Sequence, residues 1–148
     1  MSQPWRIAAT LAATTLAAAC HASGGHGVSA TDHGVTVTVR RPTTSTSTVE
    51  LTIKNGSAQS VCLGSASFLP QSFAVKTDQG IAESVAPPVP VTADCDTLAA
   101  GAEKTQTVDA GKGFSRLQMQ TGRLCYRYAF SGSAPGAAPW QGAGMVCE

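Results

Sequence analysis

The chain predicts an all-β fold, an antiparallel β-sandwich of about seven strands stapled by two disulfides. Three observations carry this expectation. Hydrophobicity alternates with a period of two in several short segments, the pattern of strands with one face in a core. Asn, Gly, Asp and Pro punctuate those segments at short intervals, as hairpin turns require. No helical period stands out anywhere after the first twenty residues.

The elements follow in order. In VTVTVRR (35–41), Val35, Val37 and Val39 point one way while Thr36, Thr38 and Arg40 point the other. After the polar connection PTTSTST, the segment STVELTIK repeats the pattern, with Val49, Leu51 and Ile53 inward and Thr48, Glu50, Thr52 and Lys54 toward water. Asn55-Gly56-Ser57 then signals a turn, because Asn and Gly accept positive φ at low cost. A third strand is expected over 60–68, a break at Pro70, and a fourth strand over 72–77 that ends in Asp78-Gln79-Gly80. The stretch VAPPVPVTADCD contains three prolines that cannot donate to a ladder, so it reads as an edge or an ordered loop. Residues 104–108 form a further strand leading to Asp109-Ala110-Gly111. In RLCYRYAF, Leu124, Tyr126, Tyr128 and Phe130 alternate against Cys125, Arg127 and Ala129, and a short strand over 144–147 closes the chain. Tyr126, Tyr128 and Phe130, with Phe68 and Phe73 opposite, supply the aromatic part of the core.

The succession VELTIKNGSAQSV, LAAGAEKTQTV and TGRLCYRYAF resembles bacterial immunoglobulin-like domains. Their pattern is a strand ending in Asn plus a small residue, an L-x-P-G loop before a strand, and G-x-Y opening a late strand. The resemblance covers most of residues 35–130 and implies an immunoglobulin-like sandwich over 35–148.

The first twenty residues carry an address. A polar start with Arg6 precedes the uncharged run IAATLAATTLAAA and then Cys20, which is the outline of a signal peptide over residues 1–19. The apolar run is too short to span a bilayer, which needs roughly 20 residues. Ala17-Ala18-Ala19-Cys20 resembles the lipobox of bacterial lipoproteins, which implies cleavage by signal peptidase II and acylation of Cys20. The same alanines also fit the small-residue rule for ordinary secretion. The cysteine count favours the lipoprotein: five cysteines are present, and lipidating Cys20 leaves an even four for disulfides. By the same resemblance His21, rather than Asp, after the Cys implies an outer-membrane anchor facing the periplasm. Residues 20–34, rich in Gly, Ser and Ala, read as a flexible tether between anchor and fold.

Four cysteines in an oxidising compartment stabilise a domain of this size by about 2 to 4 kcal/mol per bridge. Cys125 and Cys147 are symmetric about Gly136, in a Gly- and Pro-rich loop of the kind that joins two hairpin strands, so they form the preferred bridge. Cys62 then pairs with Cys95. A Cys62 to Cys125 bridge through the core is the rival connectivity.

The same residues bound the function. Loss of Arg6 from the ten basic residues leaves nine, matching the nine acidic ones, so the mature domain has no net charge and no long-range field to concentrate nucleic acid or anionic lipid. The membrane is met through the lipid anchor only. A hydrolase needs a nucleophile beside a base and an oxyanion donor, yet His21, His26 and His33 all fall in the expected tether, so no enzyme is expected. Asp94 and Asp96 flank Cys95 as a dyad or calcium pair, but two residues apart on a disulfide loop they read first as solvating charges. No cofactor and no metal site is expected; weak metal capture by the three histidines is an alternative. Asn55-Gly56-Ser57 also matches a glycosylation sequon, for which the turn role suffices.

Trp140 lies in SGSAPGAAPWQGAG, where an aromatic is either a binding anchor or a cap folded back on the sandwich. The leading expectation is a non-enzymatic, lipid-anchored module that binds an envelope protein or serves as a structural accessory. Its contact surface is expected at Trp140 and Gln141, with Asn55 to Gln59 or the 87–90 segment as the other candidate. The alternative is a periplasmic inhibitor of a hydrolase such as lysozyme: small disulfide-bearing periplasmic lipoproteins of that kind share this size and address, and SGS and WQG are similar to pieces of their inhibitory segments.

Overall fold

The computed structural model describes residues 26–43, 47–87, 94–133 and 135–148. Its strands are β1 (His26–Asp32), β2 (Val35–Arg41), β3 (Thr48–Asn55), β4 (Val61–Leu63), β5 (Phe73–Thr77), β6 (Gly80–Glu83), β7 (Asp96–Leu98), β8 (Glu103–Asp109), β9 (Arg123–Gly132) and β10 (Trp140–Cys147), with one helix, α1 (Arg116–Thr121), before β9. One antiparallel sheet has the order β1-β2-β3-β8. In the other, β9 is central: β10 lies along one side, while β5 and β4 lie end to end along the other and carry β6 and β7 outside them. The order β2-β3-β8 facing β4/β5-β9-β10 is the arrangement of an immunoglobulin-like sandwich.

The alternation in sequence becomes the interior. Val35, Val37, Val39, Val49, Leu51 and Ile53 from one sheet meet Val61, Leu63, Phe73, Val75, Leu124 and Tyr126 from the other, each at most 1% exposed. Each such side chain contributes about 1.5 to 3 kcal/mol by leaving water. The Tyr126 hydroxyl donates to the Ser67 carbonyl at 2.8 Å, which satisfies the one polar atom this aromatic brings inside.

All seven expected strands are present, and the structure adds three. The first corrects the expected tether: His26–Asp32, within residues 20–34, forms β1 and pairs along the whole of β2. His33 (φ 48°) and Gly34 (φ 78°) make the two-residue turn between them, the positive-φ pair that matches the twist of a hairpin. Val28 and Ala30 of β1 pack on the core, but two small apolar side chains produce no readable period. Residues 20–25 lie outside the described residues, as do the expected signal peptide and Cys20. The short β6 and β7 are the other additions.

The expected third strand over 60–68 is shorter than its reading. It stops at Leu63, where Ser67 N–H donates to the Gly64 carbonyl and folds the chain into turns. The helix α1 was not expected. Ser115 caps it, with a reciprocal bond from its own N–H to Gln118 Oε1 at 2.8 Å. Only Met119 of its six residues is buried, so it carries no hydrophobic period.

Two buried polar clusters tie the sheets together at opposite ends. At one end Asn55, fully buried, donates through Nδ2 to the carbonyls of Gln59 (2.7 Å), Leu98 (3.0 Å) and Ala99 (3.1 Å). Its Oδ1 accepts from the Ser57 N–H and hydroxyl. At the other end Arg41 of β2 forms a buried ion pair with Glu148 just past β10, and its Nη1 donates to the Met119 carbonyl at 3.2 Å. Glu148 also accepts from the Leu124 N–H and donates its own N–H to the Leu124 carbonyl.

Asn55→Ala leaves the buried Leu98 carbonyl and the part-buried Ser57 N–H without their partner, while the Ser57 hydroxyl still donates to the Gln59 carbonyl at 3.1 Å. The substitution is expected to lower unfolding stability by about 3 kcal/mol, since each orphaned buried group costs roughly 1 to 3 kcal/mol; an unchanged denaturant midpoint would contradict the role. Burial pushes the Tyr126 hydroxyl well above its ordinary value of 10.0. A folded-state value above the unfolded one means the contribution is intact below pH of about 10 and is lost as pH rises further. In a Tyr128→Phe variant, the phenolate absorbance of Tyr126 is therefore expected only together with loss of the β-sheet circular dichroism signal.

Candidate functional site

The surface that carries Trp140 and Gln141 is built on the β9–β10 ladder. The register sets Trp140 opposite Gly132, Gly142 opposite Phe130 and Gly144 opposite Tyr128. In each pair the ring leans across the glycine, and a β-carbon on Gly132, Gly142 or Gly144 would collide with it. Gly142 and Gly144 of WQGAG are the seats of Phe130 and Tyr128, and Gly132 is the seat of Trp140. For this reason β10 begins at Trp140 rather than at Gly144.

Trp140 is held on several sides. The His33 imidazole stacks parallel to the indole, with ring centroids 4.6 Å apart and planes 5° apart, and the edge of Phe130 meets it at 6.0 Å. His33 Nδ1 lies 2.6 Å from Asp32 Oδ1, which fixes the imidazole at the tip of the β1–β2 hairpin. Trp140 is thus half-buried as a cap on the end of the sandwich, and it reaches the surface by its rim.

That rim forms one wall of an open groove of about 560 Å³. The Cys62–Cys95 disulfide and Thr97 form the opposite wall, with Ser131, Ser133 and Gln141 between. A second hollow, of about 290 Å³, continues over Ala129 and Ala143 and shares Cys62, Ser131 and Gln141 with the first. Together they form a trough along the outer face of the second sheet. None of the residues lining either hollow is charged.

Below the trough, Arg127 Nη1 donates to Glu83 Oε2 at 2.5 Å. That hydrogen bond holds the Glu83 carboxyl below its ordinary value and raises the Arg127 guanidinium. The second disulfide joins Cys125 to Cys147, direct partners in the register with Cα atoms 4.0 Å apart. Both bridges follow the preferred connectivity, and the Cys62 to Cys125 rival is absent because Cys62 stands opposite Ser131, six residues along β9 from Cys125.

Trp140 and Gln141 therefore share one groove, but Asn55 does not. The reading of Asn55 as a contact residue is corrected: its side chain is 0% exposed and committed to the carbonyls of Gln59, Leu98 and Ala99. The same burial removes it as a glycosylation acceptor. Asp96 forms an ion pair with Lys104 rather than a dyad with Asp94. Among the described residues no group of three or more His, Cys, Asp or Glu side chains could hold a metal ion. His21 and residues 88–90 lie outside the described residues. Ser131 was legible, since it continues the outward parity of Cys125, Arg127 and Ala129. Thr97 was not, because β7 has only three residues. No protein-family model, curated protein or solved structure matches this chain.

Gly132→Ala forces the indole off its seat. In a chain beginning at Cys20, Trp140 is the only tryptophan, so its emission is expected to shift to the red while stability falls by about 1 to 3 kcal/mol, the usual cost of overpacking. Unchanged emission and midpoint would show that the ring is not seated there.

Proposed function

We propose that this chain is a non-enzymatic, lipid-anchored module of the cell envelope that binds a partner protein in the groove between Trp140 and the Cys62–Cys95 disulfide. The observation that carries the reading is the build of that groove. Its walls are immobilised by a disulfide on one side and an aromatic stack on the other, while Ser131, Ser133 and Gln141 offer uncharged donors and acceptors between them. A rigid surface loses little conformational entropy on association, and an uncharged one suits a neutral polypeptide segment rather than a polyanion.

The position of the groove supports the same reading. β1 enters the fold beside Arg41, whereas the groove lies by Gly132 and Leu98, at the other end of the sandwich. With Cys20 acylated, the groove points away from the membrane into the compartment. His33 is engaged with Asp32 and Trp140, which favours protein binding over metal capture at this histidine.

The test is affinity purification of the full lipidated chain from detergent-solubilised envelopes of its own organism, with Gln141→Arg alongside. Gln141 is exposed, so the variant fills the groove without disturbing the core. One envelope protein recovered with the native chain and lost with the variant is the expected result. Recovery of nothing, or of the same proteins with both, would defeat the proposal.

A further inference from the structure

We infer that the end of the sandwich formed by α1 and the β5–β6 turn is a lipid-contacting surface that rests on the membrane holding Cys20. The inference rests on the lipid-anchor reading of Cys20. The first observation is where the chain enters. His26 is the register partner of Arg41, and Arg41 donates to the Met119 carbonyl of α1, so β1 begins beside this helix. Cys20 lies six residues upstream of His26, a stretch that spans at most about 22 Å when fully extended. Acylation at Cys20 therefore keeps this end of the domain close to the head groups.

The second observation is what that end presents. Leu117 of α1 is 68% exposed and Ile81 of β6 is 46% exposed, and both line one open groove of about 430 Å³ beside the β5–β6 turn. Single exposed apolar residues are ordinary on a protein surface. Here two large ones face the same opening at the tethered end. Cations stand beside them, outside the groove lining: Ile81, Lys76 and Arg123 lie in one row across β6, β5 and β9, and Arg116 precedes Leu117. Asp78 is the one carboxylate lining the groove. Apolar tips with Lys and Arg beside them match the head-group layer, where the tips enter the acyl boundary and the cations meet phosphates. Val85, 84% exposed, follows β6 away from the turn and serves as a control.

The experiment couples the mature chain through Cys20 to a maleimide-bearing lipid in phosphatidylethanolamine–phosphatidylglycerol vesicles containing a shallow spin-labelled lipid. Tryptophan fluorescence is then compared for the native chain, Leu117→Trp and Val85→Trp. Trp140, at the far end, is expected to remain unquenched in all three. Leu117→Trp should add a blue-shifted component that the spin label quenches, and Val85→Trp a component that it does not. An unquenched reporter at 117, or equal quenching at 85 and 117, would overturn the inference. Mass spectrometry of the native chain from envelopes separates the two claims. An unacylated Cys20 overturns the anchor and this surface with it, whereas an acylated Cys20 with an unquenched reporter overturns the surface alone.

Discussion

A buried carboxamide holds the groove end of this protein in place. Asn55 ends β3 in one sheet, and its side chain reaches the Leu98 carbonyl at the end of β7 in the other. An amide taken out of water costs several kcal/mol unless its donors and acceptors are matched. Here both ends of the group are used, and the backbone joins in: Asn55 N–H donates to Ala102 and its carbonyl accepts from Gly101. A slip of one residue in β3 or β7 would orphan those groups, so the cluster selects one register as well as stabilising it. Because β7 follows directly on Cys95, the same contacts set the disulfide wall of the groove against Trp140.

The opposite end uses charge rather than an amide. The Arg41 guanidinium and the Glu148 carboxylate are almost fully buried, with side chains 3% and 9% exposed. An ion pair in such a site contributes little net stability but is costly to break, because removing either partner leaves the other uncompensated. The two clusters give the molecule a direction. Chain entry, α1 and the exposed Leu117 and Ile81 belong to the Arg41 end; Trp140, His33 and the uncharged groove belong to the Asn55 end. The proposed anchor would lie at the first pole and the proposed contact groove at the second, which fits the proposal of a tethered binding module.

The parts of this structure legible in the residues are those with strong patterns. Valines at alternate positions from 35 to 39, and Val49, Leu51 and Ile53 after them, announce their strands because both the period and the β-branched side chains agree. The Cys125–Cys147 bridge follows from hairpin symmetry. What stayed hidden was hidden for physical reasons. β1 has only Val28 and Ala30 to bury. Gly142 and Gly144 look like loop residues until the rings of Phe130 and Tyr128 are seen to cover them. Asn55-Gly56 is a turn signal in sequence and a turn in structure, but the pattern does not reveal that the side chain points inward. Trp140 and Gln141 of the expected contact surface line one groove, whereas Asn55 is buried away from it.

The claim that the Asn55 cluster locks the two sheets together is open to one direct measurement, native-state hydrogen exchange of the backbone amides of Asn55, Gly101 and Ala102. If the cluster is the lock, these amides exchange only through global unfolding, with the same opening free energy as the central amides of β3 and β9. If Gly101 and Ala102 exchange through a low-energy local opening while β3 and β9 stay protected, the sheets are held together without the Asn55 cluster, which merely decorates a loop.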